Sequence, residues 1–195
     1  MAKRVVVWSR VWLAVVFMMS TILLSQTARS DEASQIRLGF DIVAAQFGRN
    51  FLNLAGKNRE LVGLGSYLVN TTGCNDCHTH PNWADGKNPY ILSQQPGQIN
   101  TAEYMAGGRI FGPVTNPIAI SANITPDGSG RPAGLTLAGF LEVMHTGHDP
   151  RDQPGDVLQV MPWPLYRWKT ERDLTAMYEY LRAIPHLDPN PNPGP

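Results

Sequence analysis

The chain has 195 residues, 43% of them hydrophobic and 16% charged, which suits one packed domain and excludes wholesale disorder. Sixteen basic residues balance sixteen acidic ones, so the basic excess of nucleic-acid binders is missing; two cysteines exclude a disulfide-stapled scaffold. The balance is uneven along the chain. Residues 1–30 hold four basic residues and no acidic one, leaving twelve basic and sixteen acidic residues, a net charge of −4, beyond them.

The first segment reads as an address. Lys3 and Arg4 precede an apolar run from Val11 to Leu24, and Ala28-Arg29-Ser30 offers small residues for cleavage before Asp31 and Glu32. Charged start, apolar middle and small-residue exit make residues 1–30 a secretory signal, and place the rest in the periplasm or otherwise outside the cytoplasm. The run is short beside the roughly 20 residues of a membrane span. An uncleaved anchor, lengthened by Val5 to Trp8, is the alternative, and only then is a membrane a partner.

Residues 31–58 form an N-terminal extension, frayed over 31–36, whose apolar positions Phe40, Ile42, Val43, Phe47, Phe51 and Leu54 predict a helix from Phe40 to Leu54. Gly56-Lys57-Asn58 breaks it. A second helix starts at Arg59, with Leu61, Leu64 and Leu68 on one stripe, and Gly73 ends it. Residues 81–118 read as a long loop with at best short helical turns, and Ser121 to Pro132 as another. Thr136 caps a short helix through Phe140, Leu141 and Met144 to Gly147. Residues 148–169 return to loop. Thr170 with Asp173 forms a capping-box pattern ahead of Leu174, Met177, Tyr178 and Leu181, one apolar helical face, which Pro185 closes. The Pro-rich tail, residues 188–195, is expected to be extended or disordered.

Both cysteines fall in Cys74-Asn75-Asp76-Cys77-His78, the C-x-x-C-H pattern of covalent haem attachment. One helical turn lets both sulfurs reach the two vinyl groups on one porphyrin edge, and the next imidazole ligates the iron from below. A zinc site would need a fourth ligand at finger spacing, and adjacent Cys77 and His78 serve poorly as joint ligands. A redox C-x-x-C would want a βαβ surround, which this region lacks. The expected cofactor is one haem c, covalently held through Cys74 and Cys77.

A glycine-and-tyrosine helix before C-x-x-C-H, the segment Ser121-Ala122-Asn123-Ile124-Thr125-Pro126-Asp127, the pair Met161-Pro162 and a terminal Leu-containing helix together resemble class I-like monohaem cytochromes c. The nearest likeness is to bacterial periplasmic cytochromes and the cytochrome subunits of membrane-linked dehydrogenases, over roughly residues 60–187. The resemblance implies an all-α fold of helices around one haem with long loops, its domain spanning residues 59–187. The first and last helices would cross where Gly65 lets an aromatic such as Tyr178 come close. Residues 31–58 and a loop from about Asn82 to Ala106 depart from that pattern.

The resembling family places its axial methionine where Met161 stands, in a loop before the last helix, so His78 and Met161 are the expected metal ligands. Met144 and Met177 lie on helical stripes and read as core; Met105 has no inferable context; His145 or His148 would give a bis-histidine site. Trp163 and Tyr166 are candidate pocket walls, Asn123 a hydrogen-bonding residue there, and Arg109 a partner for a haem propionate. An iron with both axial positions filled by protein transfers single electrons and has no catalytic residue of its own. The expected protein is therefore a carrier, or the electron-transfer subunit of an oxidoreductase, not an enzyme by itself, with redox proteins or dehydrogenase subunits as partners. The alternative is a haem-based sensor or small-ligand binder in which Met161 is displaceable.

Overall fold

A computed structural model describes residues 31–195; the expected signal segment, residues 1–30, lies outside the described residues. Residues 31–35 are helical, and Ile36–Pro195 form a compact unit. Among the described residues no helix is long and apolar enough to cross a membrane.

The fold is mostly helical. Six helices are described: α1 (residues 31–46), α2 (Arg59–Thr71), α3 (Cys74–His78), α4 (Leu137–Thr146), α5 (Trp163–Tyr166) and α6 (Glu171–Leu181). Their starts are chemically marked. The Asn58 side chain accepts from the Glu60 and Leu61 amides, Thr136 accepts from Gly139, and Thr170 and Asp173 close a full capping box. The longest helices carry the core. Val62 and Val69 of α2 meet Leu174, Met177, Tyr180 and Leu181 of α6, and all are buried. Each such side chain contributes roughly 1.5–3 kcal/mol through burial. Helix α4 joins α6 through Phe140 and Tyr178, whose rings lie 5.5 Å apart. Helix α1 is tied to α2 by the buried Ser66 hydroxyl, which donates to the Gly39 carbonyl at 2.7 Å.

Four expectations change. The start of the extension is helical rather than frayed, and its helix ends at residue 46 instead of Leu54. Gly48, at φ 87°, turns the chain there, and Phe47 and Phe51 stack on each other at 4.2 Å and face Tyr104 without helical backbone. The long loop holds two short 3₁₀ turns (Leu92–Gln94 and Thr101–Glu103) and also a strand, β1 (Ile110–Phe111), which pairs antiparallel with β2 (Ala119–Ile120). Stretch 148–169 contains α5, four residues long. The tail is extended and held. The Ile110 amide donates to the Gly194 carbonyl, the Gly194 amide to Gly108, and the Asn190 amide to Ala106. Backbone pairing orders a segment whose side chains carry no periodic signal.

Candidate functional site

Helix α3 is one turn long, and each end is fixed. Gly73, at φ 82°, takes a left-handed conformation between α2 and α3, so the chain changes direction before Cys74. At the other end the Gly107 amide donates to the His78 carbonyl at 2.8 Å, and the Met105 amide donates to the buried Thr79 hydroxyl at 3.0 Å. Both cysteines are free thiols.

His78 is held by its side chain as well. Its Nδ1 lies 2.7 Å from the Ala122 carbonyl oxygen. A carbonyl can only accept, so Nδ1 carries the proton and the Nε2 lone pair is free. Burial depresses the His78 pKa, with the Ala122 bond opposing, which keeps the ring neutral and ready to ligate. Burial raises the thiol pKa values of Cys74 and Cys77; the Thr72 hydroxyl, 3.7 Å from Cys74 Sγ, works against it at the first.

Cys74, Cys77 and His78 line one cavity of about 380 Å³, within the usual size of a cofactor site. Phe111 and Ile120 of the hairpin, Ile124, Leu135, Phe140, Val143 and Leu181 make it largely apolar. Met161 and Tyr166 are brought to the same cavity. The Tyr166 hydroxyl donates to the Thr72 carbonyl at 3.2 Å, and burial pushes its pKa up to about 12. Of the five histidines, His78 alone lines this space. His145, His148 and His186 direct Nδ1 to the carbonyls of Arg167, Asp156 and Pro126. Among the described residues no three His, Cys, Asp or Glu side chains group as a metal ion alone would need.

The remaining candidates sit elsewhere. Trp163 stands over Gly147 and donates from Nε1 to the Leu158 carbonyl at 3.1 Å, outside the cavity lining. Asn123 organises its own loop: Nδ2 donates to Leu187 at 2.7 Å, and Oδ1 accepts from the Thr125 amide and hydroxyl. Arg109 donates to the Asp76 carbonyl of α3 at 2.7 Å and lies over the Phe111 ring, so it clamps the motif helix from outside. The guanidinium that lines the cavity belongs to Arg151, paired with Asp149 and bonded to the Ala133 carbonyl. Its only signal in the sequence was an Asp-x-Arg spacing in a stretch read as plain loop. Met144 and Met177, read as core, are buried and also line the cavity.

Compared with protein-family models, curated proteins and solved structures, the chain matches none.

Proposed function

We propose that the protein is an exported monohaem c-type cytochrome of class I-like architecture that carries single electrons between redox proteins or within a dehydrogenase complex. The observation that carries this reading is the convergence of Cys74, Cys77, His78 and Met161 on one apolar cavity, with His78 Nε2 left free by the Ala122 bond. The residues fit the group. Two thiols three positions apart suit covalent attachment at one porphyrin edge, and a neutral imidazole and a thioether suit iron. Haem, when bound, supplies a one-electron ferric/ferrous couple. The protein's part is to hold the ligands and exclude water with the apolar wall, beside which the Arg151–Asp149 ion pair adds no net charge. Export rests on the signal-like residues 1–30, and docking on the net charge of −4 beyond them, which favours a basic patch on the partner.

The test is acid–acetone extraction of protein made in a host with haem-attachment machinery. Colour stays with the polypeptide, and Cys74→Ala or Cys77→Ala weakens or abolishes attachment. Complete transfer of colour to the solvent from the wild type rejects the proposal. Carbon monoxide added to the reduced protein then separates a closed carrier, whose spectrum does not change, from a ligand-binding sensor, whose bands shift.

A further inference from the structure

The stretch between α4 and α5 supplies Asp149, Arg151, Leu158 and Met161 to the lining of the cavity that holds His78, and the loop before α4 supplies Ala133 and Leu135. The first stretch is closed on itself. The Leu158 amide donates to the Gly147 carbonyl at 2.9 Å, and His148 Nδ1 to the Asp156 carbonyl at 2.7 Å, so residues 147–158 form a loop whose ends meet. Met161 follows that closure by three residues.

One side chain ties this loop to the other part of the wall. Arg151 Nε donates to Asp149 Oδ1 at 2.8 Å, Nη2 bonds to Asp149 Oδ2, and Nη1 donates to the Ala133 carbonyl. Among the described residues, no other hydrogen bond joins residues 148–162 to residues 132–135. Ala133, where the bond lands, is itself unusual. At φ 52° its backbone is left-handed, a conformation that a residue with a side chain keeps only where its surroundings fix it. Its amide donates to the Thr125 carbonyl at 3.2 Å, and its carbonyl takes the Arg151 bond.

The carboxylate end is fixed as well. The Asp149 side chain is only 9% exposed, and the Arg151 bonds hold its carboxyl below the usual carboxylate range. The Arg151 side chain is 48% exposed, so the pair adds little to the stability of the whole chain. What the planar, two-pronged contact fixes is position.

We propose that Arg151 and Asp149 form a strap that holds the Met161-bearing segment over the cavity and so sets how readily the cavity admits an outside ligand. Both are positioning residues that act through Met161. The proposal rests on the cytochrome reading for what Met161 binds, and in those terms the strap decides how often the sulfur leaves the iron.

Imidazole titrated into the ferric full-length haem protein tests it, because imidazole takes the iron position only when the sulfur has left. Arg151→Gln and Asp149→Ala each tighten imidazole binding by about fivefold or more, and the double variant matches the single ones, since either change unties the same strap. Hydrogen exchange over residues 147–161 quickens in the same variants. Arg182→Gln, which breaks an ion pair with Glu179 outside the cavity lining, changes neither. Imidazole affinity within about twofold of wild type in both single variants, unchanged hydrogen exchange, or an equal rise in Arg182→Gln overturns the strap. A wild-type chain that carries no covalent haem rejects the cytochrome reading instead, and hydrogen exchange alone then decides whether the strap holds the loop.

Discussion

Gly65 of α2 lies so close to Ala176 of α6 that a methyl group on its Cα would stand 1.8 Å from the Ala176 carbonyl oxygen. The same methyl would meet Tyr180 Cβ at 2.8 Å. The two backbones can cross only because residue 65 has no side chain. The aromatic beside this crossing is Tyr180; Tyr178 faces away, against Phe140, with its hydroxyl donating to the Leu135 carbonyl at 2.9 Å. Gly65→Ala therefore forces α2 and α6 apart and costs about 3 kcal/mol or more, at the upper end for overpacked sites. Urea denaturation measures this directly, and a midpoint equal to wild type rejects the crossing.

Asn70 is the hub of a buried polar network. Its Oδ1 accepts from the Tyr104 hydroxyl at 2.7 Å, and its Nδ2 donates to the Ser66 carbonyl at 2.8 Å and to Tyr180 Oη at 3.3 Å. Tyr104 and Tyr180 oxygens are 3.0 Å apart. Asn70→Ala deprives Tyr104 of its best acceptor and costs about 2–3 kcal/mol, whereas Tyr180→Phe removes a group whose neighbours keep other partners and costs about 1 kcal/mol. Thermal melts of the two variants give the order; equal losses contradict it.

The same pair sets an alkaline limit. Burial and the neighbouring Tyr180 push the Tyr104 pKa well above the usual phenol value, and burial raises Tyr180 despite its hydrogen bonds. In the unfolded chain both phenols ionise near pH about 10. A folded pKa above that value means the native state keeps protons that the unfolded state has lost. The stabilisation is complete below pH about 10 and declines as pH rises toward the folded values. Phenolate absorbance should show Tyr104 and Tyr180 silent until the protein unfolds, and Tyr104→Phe should flatten the alkaline fall in stability. Ionisation of both within the native baseline contradicts this.

Cap chemistry was legible from sequence wherever it is local. Thr136, Thr170 and Asp173 mark helix starts that the structure reproduces, because a cap is made by residues two or three apart. The gathering of Cys74, Cys77 and His78 follows the same rule, since one helical turn holds them. What escaped depends on distant backbone. The β1–β2 hairpin and the docking of Gly194 on Gly108 and Ile110 use main-chain groups, which composition does not register. Phe47 and Phe51 keep helical spacing yet leave the helix, since Gly48 turns the chain after α1 and Tyr104 offers another surface. Arg109 and Arg151 cannot be ranked from sequence. Which one reaches the cavity depends on the Asp76 carbonyl holding the first and Asp149 positioning the second.

Three methionines line the cavity beside His78, so under the proposed cytochrome reading the choice of distal ligand rests on how each is held. Met144 and Met177 are each 2% exposed and sit on α4 and α6, inside the cluster that joins those helices. Moving either sulfur toward an iron would loosen that packing. Met161 is only partly buried and lies in the loop before α5. That loop is anchored near both ends: the Leu158 amide donates to the Gly147 carbonyl at 2.9 Å, Trp163 Nε1 donates back to Leu158, and Pro162 fixes its own φ. A tethered but unpacked thioether can ligate without dismantling the core. Under the cytochrome reading, Met161→Ala keeps haem attached through Cys74 and Cys77 and ligated by His78, but opens the distal side. The reduced variant then binds carbon monoxide, the ferric form loses the weak sulfur-to-iron band, and the potential falls, since a neutral thioether favours ferrous iron. Met144→Ala and Met177→Ala instead cost about 2–5 kcal/mol and leave ligation intact. If Met161→Ala retains the wild-type ferric spectrum while Met144→Ala or Met177→Ala loses it, the sulfur on the iron is a helical one, and the tethered loop serves only as a wall.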